Sequence, residues 1–187
     1  MLMRTTMFRR PTRTQAGQAG FTLIEFLLVL ALAAVVAGVA FLAFNNANSG
    51  AQVYGAVRDV GIIQANIKNA FPNQQYTGLS TSTANEAHVF PADMNANNFA
   101  AGAPITERWP GSTVSLLGGT TGTYTLTVTG VPQQACAQFV SQAAQNMSGA
   151  TVGGTTVFNA SGTAVSPSAV ATQCAASTTA TVAFTGS

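Results

Sequence analysis

Across residues 21–44 almost every position is apolar, and Glu25 is the single ionisable group. A helix over that run would be about 36 Å long, enough to cross a hydrocarbon core of about 30 Å. A carboxylate inside such a segment costs roughly 2.5–3.5 kcal/mol on insertion scales, so Glu25 calls for a compensating role. Within the run, Ala33 and Ala37, Ala34 and Gly38, and Ala40 and Ala43 lie at spacings that bring small residues onto one helix face, which permits close helix approach. Gly38 weakens a helix interior by about 1 kcal/mol relative to Ala and marks a point where the helix can bend on packing.

The pattern then changes. Residues 45–50 are polar and suit a loop by composition, but the periodicity that follows argues for resumed helix. Val53, Val57, Val60, Ile63, Ile67 and Phe71 recur at steps of three and four, and Pro72 stops the run. This predicts an amphipathic second half, with Arg58, Asp59 and Lys68 on its polar face. From 73 to 111 periodicity is weak, which predicts a long connection with one or two short helices. Thr113 to Leu117 reads as a strand, followed by a Gly/Thr turn and a second strand over 123–131, with Tyr124, Leu126 and Val128 on one face. Pro132 is suited to the first position of a helix. In that helix Cys136, Phe139, Val140, Ala143 and Met147 form an apolar stripe, and Gly149 closes it. Residues 155–159 and 179–185 read as the last two strands.

Charge refines the picture. Four of the seven basic residues (Arg4, Arg9, Arg10 and Arg13) precede the apolar run. Beyond Gly20, Arg58, Lys68 and Arg108 stand against Glu25, Asp59, Glu86, Asp93 and Glu107, a formal excess of two negative charges. That balance offers no basic face for nucleic acid, and so sparse a charge leaves little self-repulsion to oppose association. The arginine-rich leader holds the amino terminus in the cytoplasm, so that everything after Phe44 emerges on the other side. A secretory signal would have a shorter apolar stretch with a small-x-small site after it; here Ala31-Leu32-Ala33 is buried inside the run. A plain anchor has no use for Glu25 or for Gly20 at the boundary.

The order basic leader, Gly20-Phe21-Thr22-Leu23-Ile24-Glu25 and apolar helix resembles the processing and assembly signal of type IV pilins and pseudopilins. The resemblance implies cleavage between Gly20 and Phe21 by a membrane prepilin peptidase, N-methylation of Phe21, and pairing of Glu25 with the amino terminus of a neighbouring subunit. A buried carboxylate is costly alone, and an adjacent positive terminus offsets much of that cost. Tyr76 to Ser80, Phe90 to Met94 and Ile105 to Trp109 resemble the type IVb branch, which includes toxin-coregulated and conjugative thin-pilus major pilins. The long leader agrees with that branch, whereas Phe21 is more usual in type IVa.

The fold this implies is α+β: a leader (1–20), a spine helix (21–71, with 21–44 membrane-spanning and later filament core), and a head (72–187) with an antiparallel sheet. Export places Cys136 and Cys174 in an oxidising space, where a disulfide closing about 39 residues would remove roughly 4 kcal/mol of unfolded-state entropy. A reactive or metal-binding thiol pair is the competing reading, with neither a CxxC nor a nearby histidine to support it. In the family, such cysteines bracket an exposed region near the carboxyl end.

The implied role is structural: an inner-membrane prepilin polymerised into an extracellular pilus by an assembly platform and ATPase, serving adhesion, aggregation or conjugation. A type II secretion pseudopilin and a minor pilin acting as adhesin are the alternatives. No Asp or Glu follows Glu107, where the main pseudopilin binds calcium. Glu86, His88 and Asp93 are too thin a set to argue a metal site, and no cofactor is expected. One histidine and no readable acid pair give no basis for catalysis. Asn146-Met147-Ser148 and Asn159-Ala160-Ser161 fit a glycosylation sequon, a pattern common by chance.

Overall fold

The computed structural model describes residues 22–94, 99, 102–119, 122–159 and 165–187. The chain divides into two compact units, one ending at Ala43 and the other running from Phe44 to Ser187. A single helix, α1 (Leu23–Ala70), passes through the division. The polar stretch at 45–50, which suits a loop by composition, is therefore helical, and the periodic segment that begins at Val53 continues α1 without a break.

In the first unit every described side chain is exposed, Leu23, Phe26, Val35 and Phe41 among them. Among the described residues, α1 is the one helix long and apolar enough to cross a membrane. Burying an apolar side chain is worth about 1.5–3 kcal/mol, so a stripe this large is stable only against lipid or other protein.

The second unit is an α+β head. Val53, Ala56, Val60, Ile63 and Ile67 of α1 are buried in its core, with Val57 and Phe71 packed at the margin. The predicted stripe is thus present, with one difference: Asp59, assigned to the polar face, is fully buried beside Val60. The connection after α1 holds α2 (Thr81–Glu86) and a 3-10 turn (Ala92–Met94). Ser80 caps α2, its Oγ accepting from the Thr83 amide at 3.3 Å.

Among the described residues five antiparallel strands follow in the spatial order β1-β2-β5-β3-β4. They are β1 (Thr113–Gly118), β2 (Tyr124–Pro132), β3 (Gly149–Val152), β4 (Thr155–Asn159) and β5 (Thr179–Gly186). Alternation decides which face is inward. Val114 and Leu116, then Tyr124, Leu126 and Val128, then Val182 and Phe184 are buried, while Thr113, Ser115 and the threonines of β2 lie on the outer face. Register places Leu126 beside Leu116 and Phe184, and Val128 beside Val114 and Val182. Between Val128 and Val131 the β2–β5 register shifts, and Gly130 at φ 73° supplies the left-handed residue such a bulge calls for. The last strand in sequence thus joins β2 to β3 at the centre of the sheet.

Helix α3 (Gln133–Ala143) buries Cys136, Phe139, Val140 and Ala143 as predicted. Pro132 is its N-cap and the end of β2 rather than its first turn. Gly149 does not simply close α3; a short 3-10 turn intervenes and Gly149 opens β3. Trp109, Phe139 and Phe184 form a chain of edge-to-face contacts with centroids 5.2 and 5.4 Å apart, an arrangement worth about 0.5–1.5 kcal/mol per pair beyond area burial. Helix α4 (Pro167–Ala175) is capped by Ser166, whose Oγ accepts from the Ala169 amide at 3.3 Å.

Candidate functional site

Three features are candidates: the start of α1, the disulfide, and a charge cluster in the head. Gly20 and Phe21, the expected cleavage and methylation point, lie outside the described residues. The first described residue, Thr22, caps α1: its carbonyl accepts from the amides of Glu25 at 3.0 Å and Phe26 at 3.1 Å. Its Oγ1 accepts weakly from the Glu25 amide at 3.4 Å. Thr22 and Glu25 have the spacing of a capping box, so a local role for Glu25 competes with an intermolecular one. The carboxylate is exposed in the first turn, where the helix dipole favours negative charge. It is also the only charged side chain on the described α1 surface before Arg58.

Cys136 on α3 and Cys174 on α4 are bonded, with Cα atoms 5.7 Å apart, inside the usual disulfide span. Both are buried. The bridge joins α3 directly to α4, and the intervening β3–β4 hairpin is the segment it encloses.

The charge cluster was not foreseen. Asp59, 1% exposed at its side chain, sits between two guanidinium groups. Arg58 donates to Asp59 Oδ1 through Nε at 3.3 Å and through a terminal nitrogen at 3.1 Å. Arg108 donates to Oδ2 through Nε at 3.0 Å and a terminal nitrogen at 2.6 Å. Asp93 accepts from that same Arg108 nitrogen at 3.0 Å and lies 3.7 Å from Arg58. Three chain segments, α1, the 3-10 turn and the strand of chain before β1, are thereby tied at one point. Gly55 lies under the Arg108 side chain, and a Cβ there would collide with the guanidinium.

Glu107 adjoins this cluster but does not share its pairs. Its Oε2 accepts from the Arg108 amide at 3.0 Å, and its buried Oε1 has no hydrogen-bond partner among the described residues. Burial, together with Asp59 and Asp93 nearby, pushes its carboxyl up to about 7 from the usual 4.5, against the pull of the Arg108 amide and guanidinium.

The three residues weighed as a metal set are not gathered. Asp93 is committed to the arginines. The His88 Nδ1 lies 3.0 Å from the Glu86 carbonyl oxygen, and its ring packs on Phe99 with centroids 4.3 Å apart. Among the described residues no group of three His, Cys, Asp or Glu side chains could hold a metal ion.

Comparison with known proteins adds a family and a fold. Residues 51–187 match the family described as PilS N terminal. Residues 15–41 match the prokaryotic N-terminal methylation motif. No curated protein matches the chain significantly in sequence. In fold, the crystal structure of TcpA, a type IV pilin from Vibrio cholerae El Tor biotype, is similar at a TM-score of 0.53 and 14% identity. The similarity covers 73% of this chain and 99% of that one.

Proposed function

Because the chain belongs to the PilS N-terminal family and carries the prepilin methylation motif at the head of an apolar helix, we propose that this type IV pilin is a main structural subunit of its pilus. The carrying observation is the continuity of two things: the methylation motif over 15–41, and a helix whose described side chains are all exposed up to Phe44. A signal read by a peptidase opens directly into a surface that needs a partner, first lipid and then neighbouring copies.

In this reading the prepilin is inserted with Met1 to Gly20 in the cytoplasm and the head outside. Cleavage between Gly20 and Phe21 frees a new amino terminus, which is N-methylated. The terminus then lies near Glu25 of an adjacent subunit as an ATPase and platform draw the helix from the membrane into the polymer. The opposite charges offset the cost of placing Glu25 in a dry bundle. In the same reading the region enclosed by the Cys136–Cys174 bridge lies on the fibre surface, where it would make adhesive, aggregative or conjugative contacts; the disulfide between α3 and α4 supports this by holding that region to the head.

An antibody against the head should decorate surface fibres along their whole length, and deletion of the coding sequence should remove the fibres. Label confined to fibre tips would instead mark a minor subunit or adhesin, and fibres that persist without the chain would overturn the main-subunit reading.

A further inference from the structure

No charged residue and no histidine follows Arg108 in the sequence. The sheet, α3 and α4 therefore contribute no titrating side chain other than tyrosine to the head. Of the charged residues beyond Phe44, Arg58, Asp59, Asp93, Glu107 and Arg108 are gathered together, leaving Lys68 and Glu86 apart. Among the described residues, the charged groups that face Glu107 come from three neighbouring positions. They are Asp59 from α1, Asp93 from the 3-10 turn, and its own neighbour Arg108; Arg58 completes the cluster across Asp59.

The charges balance only when Glu107 is protonated. Two guanidinium groups then meet two aspartates, and the hydrogen bonds from Arg108 go to Asp59 and Asp93. Loss of the proton puts a third negative charge into a 7% exposed residue whose Oε1 has no partner among the described residues. The nearest cation is Arg108, which is already engaged in holding Asp59 of α1. An ionised Glu107 therefore competes with Asp59 for the same guanidinium.

We propose that Glu107 is a proton-operated clasp: as the neutral acid it leaves Arg108 free to lock the 105–112 segment onto α1, and on ionisation it draws Arg108 away and loosens that lock. The segment also has contacts that do not involve the Glu107 carboxyl. At one end the Val114 amide donates to the Ile105 carbonyl at 2.8 Å. Further along, Trp109 packs edge-to-face on Phe139. The change is thus centred on Glu107, Arg108 and the face of α1 around Asp59, and is felt within the 105–112 segment.

The sign follows from proton counting. The folded chain holds the Glu107 proton more tightly than the unfolded chain does. Its contribution to stability is complete below pH 4.5, the ordinary value, and is lost as pH rises through about 7. The head is accordingly firmer in mild acid than in mild alkali.

The test uses the full processed chain in detergent, labelled at the glutamate carboxyl carbon. Glu25, Glu86 and Glu107 are its only glutamates, so three signals are expected, and loss of one in Glu107→Gln assigns it. The Glu107 signal should titrate near neutrality. Amide exchange over 105–112, corrected for intrinsic rates, should be at least about tenfold faster at about pH 8.5 than at about pH 5.5, the change that one unit of pKa displacement would produce. Glu107→Gln should flatten that dependence and keep the slow rate. Titration of Glu107 in the ordinary carboxylate range would overturn the proposal, as would neutral titration with unchanged exchange. Should Glu107→Gln not fold, the labelled parent chain still decides by its titration and exchange, with Glu25→Gln and Glu86→Gln together supplying the assignment by elimination.

Discussion

Replacing Glu25 by alanine is expected to remove surface fibres while leaving leader removal nearly intact. The carboxylate is the one charge in the apolar run, and in a bundle of such helices it is tolerable only beside a positive partner. The competing explanation is local, since Thr22 and Glu25 have capping-box spacing and the Thr22 half of the contact is made. Loss of a cap costs about 1 kcal/mol, too little to dissolve a polymer held by whole apolar helices. Glu25→Gln separates the two roles, because glutamine serves at that position of a capping box and carries no charge. Electron microscopy of the cell surface, with an immunoblot for leader removal, reads both. Bald cells with processed subunit are expected for both variants; normal fibres on Glu25→Gln cells would take the pairing role from Glu25.

The second large effect is expected from Asp59→Ala. Asp59 is buried and receives hydrogen bonds from Arg58 and Arg108. Removing it leaves the partly buried Arg108 with the half-exposed Asp93 as its ion-pair partner. Breaking one side of a fully buried ion pair costs about 3–5 kcal/mol; because Arg108 is partly exposed and keeps Asp93, a loss toward the lower end of that range is expected. Trp109 is the only tryptophan and lies buried in the head, so its fluorescence during denaturation of the full chain in detergent reports this unit. A loss below about 1 kcal/mol would show that the cluster behaves as a surface pair.

The contrast between Glu25 and Asp59 shows what a single sequence can disclose. Glu25 stands out because every neighbour along the chain is apolar, so its oddity is local. Asp59 sits among Arg58, Asn and Gln residues in an amphipathic helix and reads as an ordinary polar-face residue. Its burial follows from Arg108, 49 positions away in sequence, which no periodicity encodes. Glu107 is missed for the same reason.

A similar division runs through the head. The alternation from Tyr124 to Val128 depends on one strand's own two faces and could be read directly. Strand β3 is four residues beginning with Gly and Ala, and it is a strand because β4 and β5 pair on either side of it. The central placement of β5 is likewise set by long-range pairing. Helix α4 is a different case. Ser166-Pro167 is a readable start signal, a capping serine before a proline suited to the first turn, yet only Val170 and Cys174 of the helix are buried, too short a stripe for periodicity to disclose. The two cysteines could be paired from the sequence once export was inferred, but their role in fastening α3 to α4 needed α4.

The central claim is that a cut before the apolar helix turns a membrane anchor into a polymer core. Its most direct test is the mass and amino-terminal sequence of the main protein in isolated surface fibres. The expected result is a chain beginning at Phe21, carrying one added methyl group on its terminal nitrogen and dominating the fibre. A start at Ala34, after the small-x-small site within the run, would contradict the account, as would a fibre in which this chain is absent.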